Sequence, residues 1–326
     1  MRVKKSSLFG WVFTIILFVL ITVLFLNREW FYDYYRGMSY KPSSEMARIR
    51  DDLLLTGQGE FWFNAAQPVL SDADEFNAHC RPVGNTEVAV LGCYTEGNIY
   101  VYDIDSEELE GIRELTAAHE LLHVRWAKMS EGEKDKLRPY LDQVLENHRD
   151  VLGDEIDIYD ESEKIEELYV RAGTEVDDLP FELEEHFAEV FSDQDKIVRF
   201  YNSYIGVFRR LEAEMDSLKT EMEQIEADIN AKTDEYRVRF STLNAEIEDF
   251  NDCAKTEGCF ATEWEFTLRR NQLIAEQNNL QGLYNEIDGL IDTYNEKVEA
   301  YNADVVRTDE LNQMVNSTSR PTEIGQ

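Results

Sequence analysis

Residues 116–126 read TAAHELLHVRW and place His119, Glu120 and His123 in an HExxH frame. In a helix, residues four apart lie on one face about 6 Å from each other, so two imidazole nitrogens can reach one zinc ion at about 2.1 Å. Glu120 lies beside them and is expected to accept a proton from the water that the ion activates. The stretch therefore predicts an active-site helix with a zinc centre and Glu120 as the general base.

Candidate strands precede this helix, and further helices follow it. Three segments are rich in β-branched and aromatic residues, which predicts a small sheet: 60–63 (EFWF), 87–93 (EVAVLGC) and 98–104 (NIYVYDI). Helices are predicted over 45–55, 109–129, 131–150, 161–172 and 181–208. The expected fold class is α+β, with a mixed sheet whose edge lines an extended substrate next to the active-site helix.

A zinc site of this type needs a third protein ligand and an open fourth position. A third histidine in the pattern HExxHxxGxxH is excluded, because Trp126 and Met129 stand where that pattern has Gly and His. A downstream glutamate remains. The residues leave Glu185, Glu189 and Glu167 open at this point.

Several of these segments resemble a group of uncharacterised, membrane-anchored bacterial proteins that carry a zinc metallopeptidase motif. The resemblance rests on 99–104 (IYVYDI), 116–123 (TAAHELLH), 173–175 (GTE) and 183–191 (LEEHFAEVF), and it covers roughly residues 45–205. It implies a gluzincin-like fold and a zinc cofactor.

The likeness to gluzincins also ranks the three glutamates. The segment LEEHFAEVF resembles the ligand helix of lethal-factor-like gluzincins and implies Glu185 as the ligand, although His186 stands where that helix has Phe. Glu189 lies one turn further on and would orient a ligand histidine or be the ligand itself. Glu167 lies in a segment similar to the thermolysin ligand helix, with Arg171 in place of Asp. Glu185 is the expected ligand, and Glu189 and Glu167 are the alternatives.

The start of the chain is apolar. Residues 8–26 (LFGWVFTIILFVLITVLFL) carry no charge, and nineteen helical residues suffice to cross a hydrocarbon core of about 30 Å. A cleaved signal peptide is the alternative, but the run is longer than usual and no small-residue cleavage site follows it. Basic residues before the run predict a cytoplasmic N-terminus, a single pass through the cell membrane and extracytoplasmic C-terminal domains.

The net charge of the chain indicates which partners it can bind, and its cysteines indicate the compartment in which it folds. The formal net charge is −35, from 32 Lys+Arg and 67 Asp+Glu, and this acidity excludes nucleic acid as a partner. The four cysteines form two close pairs without CxxC spacing, Cys80 with Cys93 and Cys253 with Cys259. We expect two disulfides, which persist outside the cytoplasm, rather than metal ligands.

Heptad patterns run from Leu211 to Phe250 and from Ile287 to Val305, and the Cys-bounded segment 251–259 (NDCAKTEGC) lies between them. This predicts a long antiparallel coiled-coil hairpin, with a parallel homodimer as the alternative. The expected division of the chain is a transmembrane anchor (1–30), a juxtamembrane stalk (31–45), a metallopeptidase-like domain (46–208), the hairpin (209–315) and a disordered tail (316–326).

The sequence as a whole favours a membrane-anchored, extracytoplasmic zinc peptidase that acts on protein or peptide substrates, with Zn2+ as its cofactor. Tyr169, Arg171 and His186 are candidates to stabilise the oxyanion. A catalytically inactive envelope scaffold that binds a protein partner through its coiled-coil arm is the alternative. Glu120 argues against it, because folding does not require a general base. Hydrolysis of a non-peptide amide stays open.

Overall fold

The computed structural model describes residues 5–80, 91–153, 156–157 and 159–316, without the side chains of 5–10 and 161–162. The predicted tail lies outside these residues, apart from Asn316. The described chain is mostly helical, with one small sheet. It divides into two compact units, one that runs to Val207 and resumes at Asn312, and a second over Phe208–Leu311.

Helices and strands follow one another in the order α1 (Lys5–Leu26), α2 (Arg28–Ser39), α3 (Ser44–Asp52), α4 (Gly57–Ala66), β1 (Val69–Ser71), α5 (Ala73–His79), β2 (Gly92–Thr95), β3 (Asn98–Tyr102), α6 (Ile112–Lys128), α7 (Glu131–Asn147), α8 (Arg149–Leu152), α9 (Glu161–Glu175), α10 (Phe181–Phe187), α11 (Gln194–Ala254) and α12 (Glu263–Met314).

The sheet of the first unit is mixed, as predicted. Strand β3 is central, pairing parallel with β1 and antiparallel with β2. The strand predicted over 98–104 is confirmed as β3. Strand β2 begins only at Gly92, and most of the predicted 87–93 strand falls outside the described residues. The disulfide Cys80–Cys93, with a Cα–Cα distance of 5.7 Å, joins the end of α5 to β2 and confirms the predicted pairing.

Residues 60–63 are helical, so the strand predicted there is wrong. They belong to α4, whose N-terminus is capped by Thr56, the hydroxyl oxygen of which accepts a hydrogen bond from the Gly59 N–H at 3.0 Å. The buried residues Gly59, Phe63 and Ala66 are spaced four and three apart and share one helical face. The aromatic run thus packs with a helical period, which its β propensity does not reveal.

Two further boundaries differ from those expected. The helix predicted over 181–208 is interrupted after α10 by residues 188–193, in which Phe191 forms an isolated β-bridge with Leu55. The first part of the predicted stalk is α2, which packs against α4. The bridge and the packing of α2 on α4 both join residues that are distant in sequence. Local sequence patterns therefore do not predict these two boundaries.

Helix α6 forms the centre of the first unit. Its buried face includes Ala117, Ala118, Leu121 and Leu122, and it contacts β2, β3, α4 and α9. Helix α9 approaches closely at Gly173, where an added Cβ would lie 2.5 Å from Cδ1 of Leu122. Glycine at this position therefore lets α9 lie against the helix that carries the HExxH residues.

Among the described residues, no single helix has the length and apolarity that crossing a membrane requires. The described part of α1 reaches that threshold only together with α2, across a bend of 69°.

The second unit is an antiparallel helical hairpin, as predicted. Interhelical ion pairs join α11 to α12, with N–O distances of 2.7 Å for Lys232–Glu286 and 2.8 Å for Arg239–Glu276. The disulfide Cys253–Cys259, with a Cα–Cα distance of 5.3 Å, confirms the second predicted pair and closes the turn. Because both helices of the seam come from one chain, no partner chain is needed to complete it.

Candidate metal centre

The first unit contains a cleft of about 580 Å³ into which α6 presents its HExxH residues. Strand β2 and helix α9 form much of the remaining wall. The lining side chains that carry polar groups are Tyr94, Thr116, His119, Glu120, His123, Tyr159, Glu163, Glu166, Glu167, Glu175, Tyr201 and Tyr204.

One group of possible ligands converges in this cleft: His119, His123 and Glu167 each offer an atom within 4.8 Å of the other two. The Nε2 atoms of His119 and His123 lie 3.8 and 3.7 Å from the two carboxylate oxygens of Glu167. Ligand atoms of a tetrahedral zinc ion at about 2.1 Å lie about 3.4 Å from each other. The donors are therefore close to the separation that a single zinc ion requires.

Glu166, the neighbour of Glu167 on α9, fixes the orientation of one histidine. Its Oε1 atom lies 2.8 Å from Nδ1 of His123. A proton on Nδ1 would be donated to this carboxylate and would leave Nε2 free to bind a metal ion. Sequence reasoning missed this residue. The adjacency of Glu166 to a ligand candidate was the only available signal.

Glu120 is buried beside the two histidines, with only 5% of its surface exposed. The backbone N–H of Tyr94, on β2, donates a hydrogen bond to its carboxylate. Gly92 on the same strand leaves room for this side chain, because an added Cβ would lie 2.7 Å from Oε1 of Glu120 and 2.6 Å from Cγ2 of Thr116. Strand β2 thus holds the proposed base against the cleft.

Burial and charge perturb the ionisable groups of the cleft. Burial raises the pKa of Glu120 to about 7, and the carboxylates of Glu167 and Glu166 act in the same direction. Burial also raises the pKa of Glu167. For His123, burial lowers the pKa, but the bond to Glu166 and the nearby carboxylates outweigh it and raise the value to about 9. The cleft therefore favours an added positive charge.

The first-choice ligand, Glu185, is not brought to the histidines. It is exposed on α10 and does not belong to the converging group. Glu189 is also distant from that group, because its carboxylate pairs with Arg125 at 3.1 Å in a separate cavity of about 660 Å³. Of the three glutamates considered, only Glu167 lies beside both histidines. The expected ranking is corrected accordingly.

The three candidates for oxyanion stabilisation do not line the cleft. Tyr169 and His186 contact each other, with the hydroxyl 3.1 Å from Nε2. Arg171 instead donates two-pronged hydrogen bonds to Glu175, at 2.9 to 3.1 Å. The phenolic hydroxyl groups in the cleft belong to other tyrosines, among them Tyr159, which no sequence motif marks.

Comparisons with models of protein families, with curated proteins and with solved structures find no match for this chain.

Proposed function

We propose that this protein is a zinc-dependent peptidase whose residues 8–26 anchor it in the cell membrane, with the catalytic unit outside the cytoplasm. One observation carries the proposal: His119, His123 and Glu167 converge within 4.8 Å beside the buried carboxylate of Glu120. The apolar run of residues 8–26 and the basic residues before it support the anchor and its orientation.

The donor set fits zinc. Two histidines and one glutamate are a ligand set that catalytic zinc sites use, and they leave a fourth position for water or substrate. The bond between Glu166 and Nδ1 of His123 supplies the outer partner that zinc-binding histidines usually have. A bound zinc ion would polarise the substrate carbonyl and make water a stronger nucleophile at neutral pH.

Glu120 is the group that moves protons in this proposal. Its carboxylate accepts a proton from the attacking water and returns it to the leaving amine. The Tyr94 N–H holds the carboxylate. Burial raises the pKa of Glu120 to about 7 without a metal ion, and the positive charge of a bound zinc ion would lower it, which favours the carboxylate that accepts a proton.

The cleft also offers a surface for an extended peptide. Strand β2, at the end of the described sheet, forms one wall, and an extended substrate would pair along it. Burial and the Glu167 carboxylate raise the pKa of Tyr159 to about 12, so its hydroxyl stays protonated. That hydroxyl is a candidate donor to the charge that develops on the substrate oxygen.

The test is the metal content and the peptidase activity of the full-length chain, purified in detergent without chelator. We expect one zinc per chain in the wild type and in Glu120→Gln, but loss of zinc in His123→Ala. Unfolded, carboxymethylated casein should be cleaved by the wild type alone. Absence of zinc from the wild type would refute the proposal and favour the scaffold alternative. Zinc with no cleavage of casein would refute general peptidase activity.

A further inference from the structure

The amphipathicity of α2 is reversed relative to a helix that faces water. At about 100° per residue, Asp33, Arg36 and Gly37 share the face that packs against the rest of the first unit, where all three are half-buried. The opposite face carries three exposed side chains. The exposed fraction is 41% for Phe31, 72% for Tyr35 and 71% for Met38. Asp33 and Arg36 thus point inward, and Phe31, Tyr35 and Met38 point outward.

The inward contacts fix α2 on the first unit. The guanidinium of Arg36 donates to the carbonyl oxygens of Ala65 and Gly97, at 2.7 and 2.8 Å, and to Oδ1 of Asn98 at 2.6 Å. Asp33 pairs with Lys128 on α6. A helix held by several polar contacts keeps its outward face in a defined orientation.

Helix α2 follows the apolar helix α1 almost directly. Phe25 and Leu26, at the end of α1, are exposed, and α2 begins at Arg28. If α1 follows the membrane normal, the 69° bend between the helices puts α2 about 20° from the membrane plane, which is the orientation of an interfacial helix. Aromatic side chains are enriched at the headgroup level of membranes.

We propose that the outward face of α2, formed by Phe31, Tyr35 and Met38, lies in the headgroup region of a phospholipid bilayer and docks the first unit on the membrane. The proposal rests on the membrane anchor proposed above, because α1 brings this face to the lipid. A bilayer is the occupant that the place of α2 favours, since α2 begins two residues after the apolar helix α1 and the bend between them turns it toward the membrane plane.

Docking of α2 on the bilayer would also hold the cleft near the membrane surface. Arg36 binds Gly97, in the turn between β2 and β3, and Asn98, the first residue of β3, and β2 lines the cleft. Strand β2 has four residues and spans about 13 Å. The cleft is therefore held near the interfacial helix, and its substrates would be polypeptide segments close to the membrane surface.

The test is the depth of spin labels in the full-length chain, reconstituted in vesicles of palmitoyl-oleoyl phosphatidylcholine. Single cysteines replace Tyr35, Met38, Leu20 in α1 and, as a control, Phe181, an aromatic residue on α10 that is 69% exposed. The native cysteines form disulfides, so the added thiol is labelled selectively. Collision rates with oxygen and with a neutral nickel complex are measured at each position.

We expect the ratio of oxygen to nickel collisions to be highest at Leu20 and, at Tyr35 and Met38, at least about threefold above that at Phe181. Water-like ratios at Tyr35 and Met38 with a lipid-like ratio at Leu20 would overturn the docking while sparing the anchor. Water-like ratios at all positions would overturn both. Protection from both reagents at Tyr35 would instead indicate a second copy of the chain on this face and would also overturn the proposal.

Zinc content, measured on the same preparations, separates this result from the proposed catalysis. A variant that keeps its zinc has kept the fold of the first unit, so its label reports on α2 alone. Lipid-like labels in a protein that binds no zinc would refute the metal site and leave the docking intact.

Discussion

Nδ1 of His123, on α6, lies 2.8 Å from Oε1 of Glu166, on α9. The contact joins two helices whose residues are far apart in sequence, and it involves a carboxylate outside the HExxH motif. Such an outer partner fixes the tautomer of a zinc-binding histidine and holds its ring in place. The packing of α9 on α6 is therefore part of the proposed metal centre.

Replacing Glu166 with alanine should weaken zinc binding about 10- to 100-fold, because His123 loses the group that orients its ring. Titration against a competing chelator measures the affinity. Glu163→Ala is the matched control, since Glu163 is exposed on the same helix and lines the same cleft. Equal affinities of the two variants would contradict the role assigned to Glu166.

Zinc should also stabilise the fold, in a way that separates Glu167 from Glu185. A ligand that binds only the folded chain adds about 4 kcal/mol to the free energy of unfolding at a concentration of about 1,000 times its Kd. We expect zinc to raise the Tm of the wild type and of Glu185→Ala, and chelation to reverse the rise. Glu167→Ala should show little response.

The control for that experiment is the circular dichroism of the metal-free proteins, which should be the same for both variants. A loss of the zinc response in Glu185→Ala, with the response kept in Glu167→Ala, would restore the ligand that sequence similarity to gluzincins implied.

The helix that carries the HExxH residues could be predicted from the sequence because the pattern that specifies it is local. The i, i+4 spacing of His119 and His123 and the helical pattern around them place both rings and Glu120 on one element. The same holds for the hairpin, whose heptads and Cys-bounded turn lie within one continuous stretch. The structure confirms this helix and the hairpin, and predicting them required no knowledge of contacts between residues distant in sequence.

The third member of the site could not be chosen in the same way. Glu167, Glu185 and Glu189 all follow the motif in segments predicted to be helical, and each has another acid within four residues. What separates them is the close packing of α9 on α6 at Gly173 and the pairing of Glu189 with Arg125. Both are tertiary contacts, which helical periodicity and motif spacing do not encode.

The burial of His186 predicts a pH dependence of stability. Burial, aided by the positive charge of Arg125, lowers the pKa of His186 from 6.5 to about 4. The unfolded chain takes up a proton at this residue below about pH 6.5, whereas the folded chain does so only near pH 4. The contribution of His186 is therefore present above pH 6.5 and is lost as the pH falls toward 4.

Denaturant unfolding between pH 7.5 and 4.5 should accordingly show a smaller acid-induced loss of stability in His186→Gln than in the wild type. The same substitution at His79, which stacks on Tyr100, serves as the control for removal of a histidine. Parallel pH profiles of the wild type and His186→Gln would show that this side chain is as easily protonated in the folded chain as in the unfolded one.

Gly92 allows the proposed base to occupy its place, so adding a single methyl group should disable catalysis without removing the metal. A Cβ at this position would lie 2.7 Å from Oε1 of Glu120 and 2.6 Å from Cγ2 of Thr116. The flexible end of the glutamate is the part of this contact that yields most easily. Displacement of a reacting group by about 1 Å can cost about 100-fold in rate.

We therefore expect Gly92→Ala to keep its zinc and to cleave casein about 100-fold more slowly than the wild type. Gly57→Ala is the matched control, because an added Cβ at Gly57 meets nothing within 4 Å. An unchanged cleavage rate in Gly92→Ala would mean that β2 or Thr116 yields to the methyl group instead of Glu120. Loss of zinc together with activity would mean that the strain reaches the histidines, since Glu120 shares α6 with both of them.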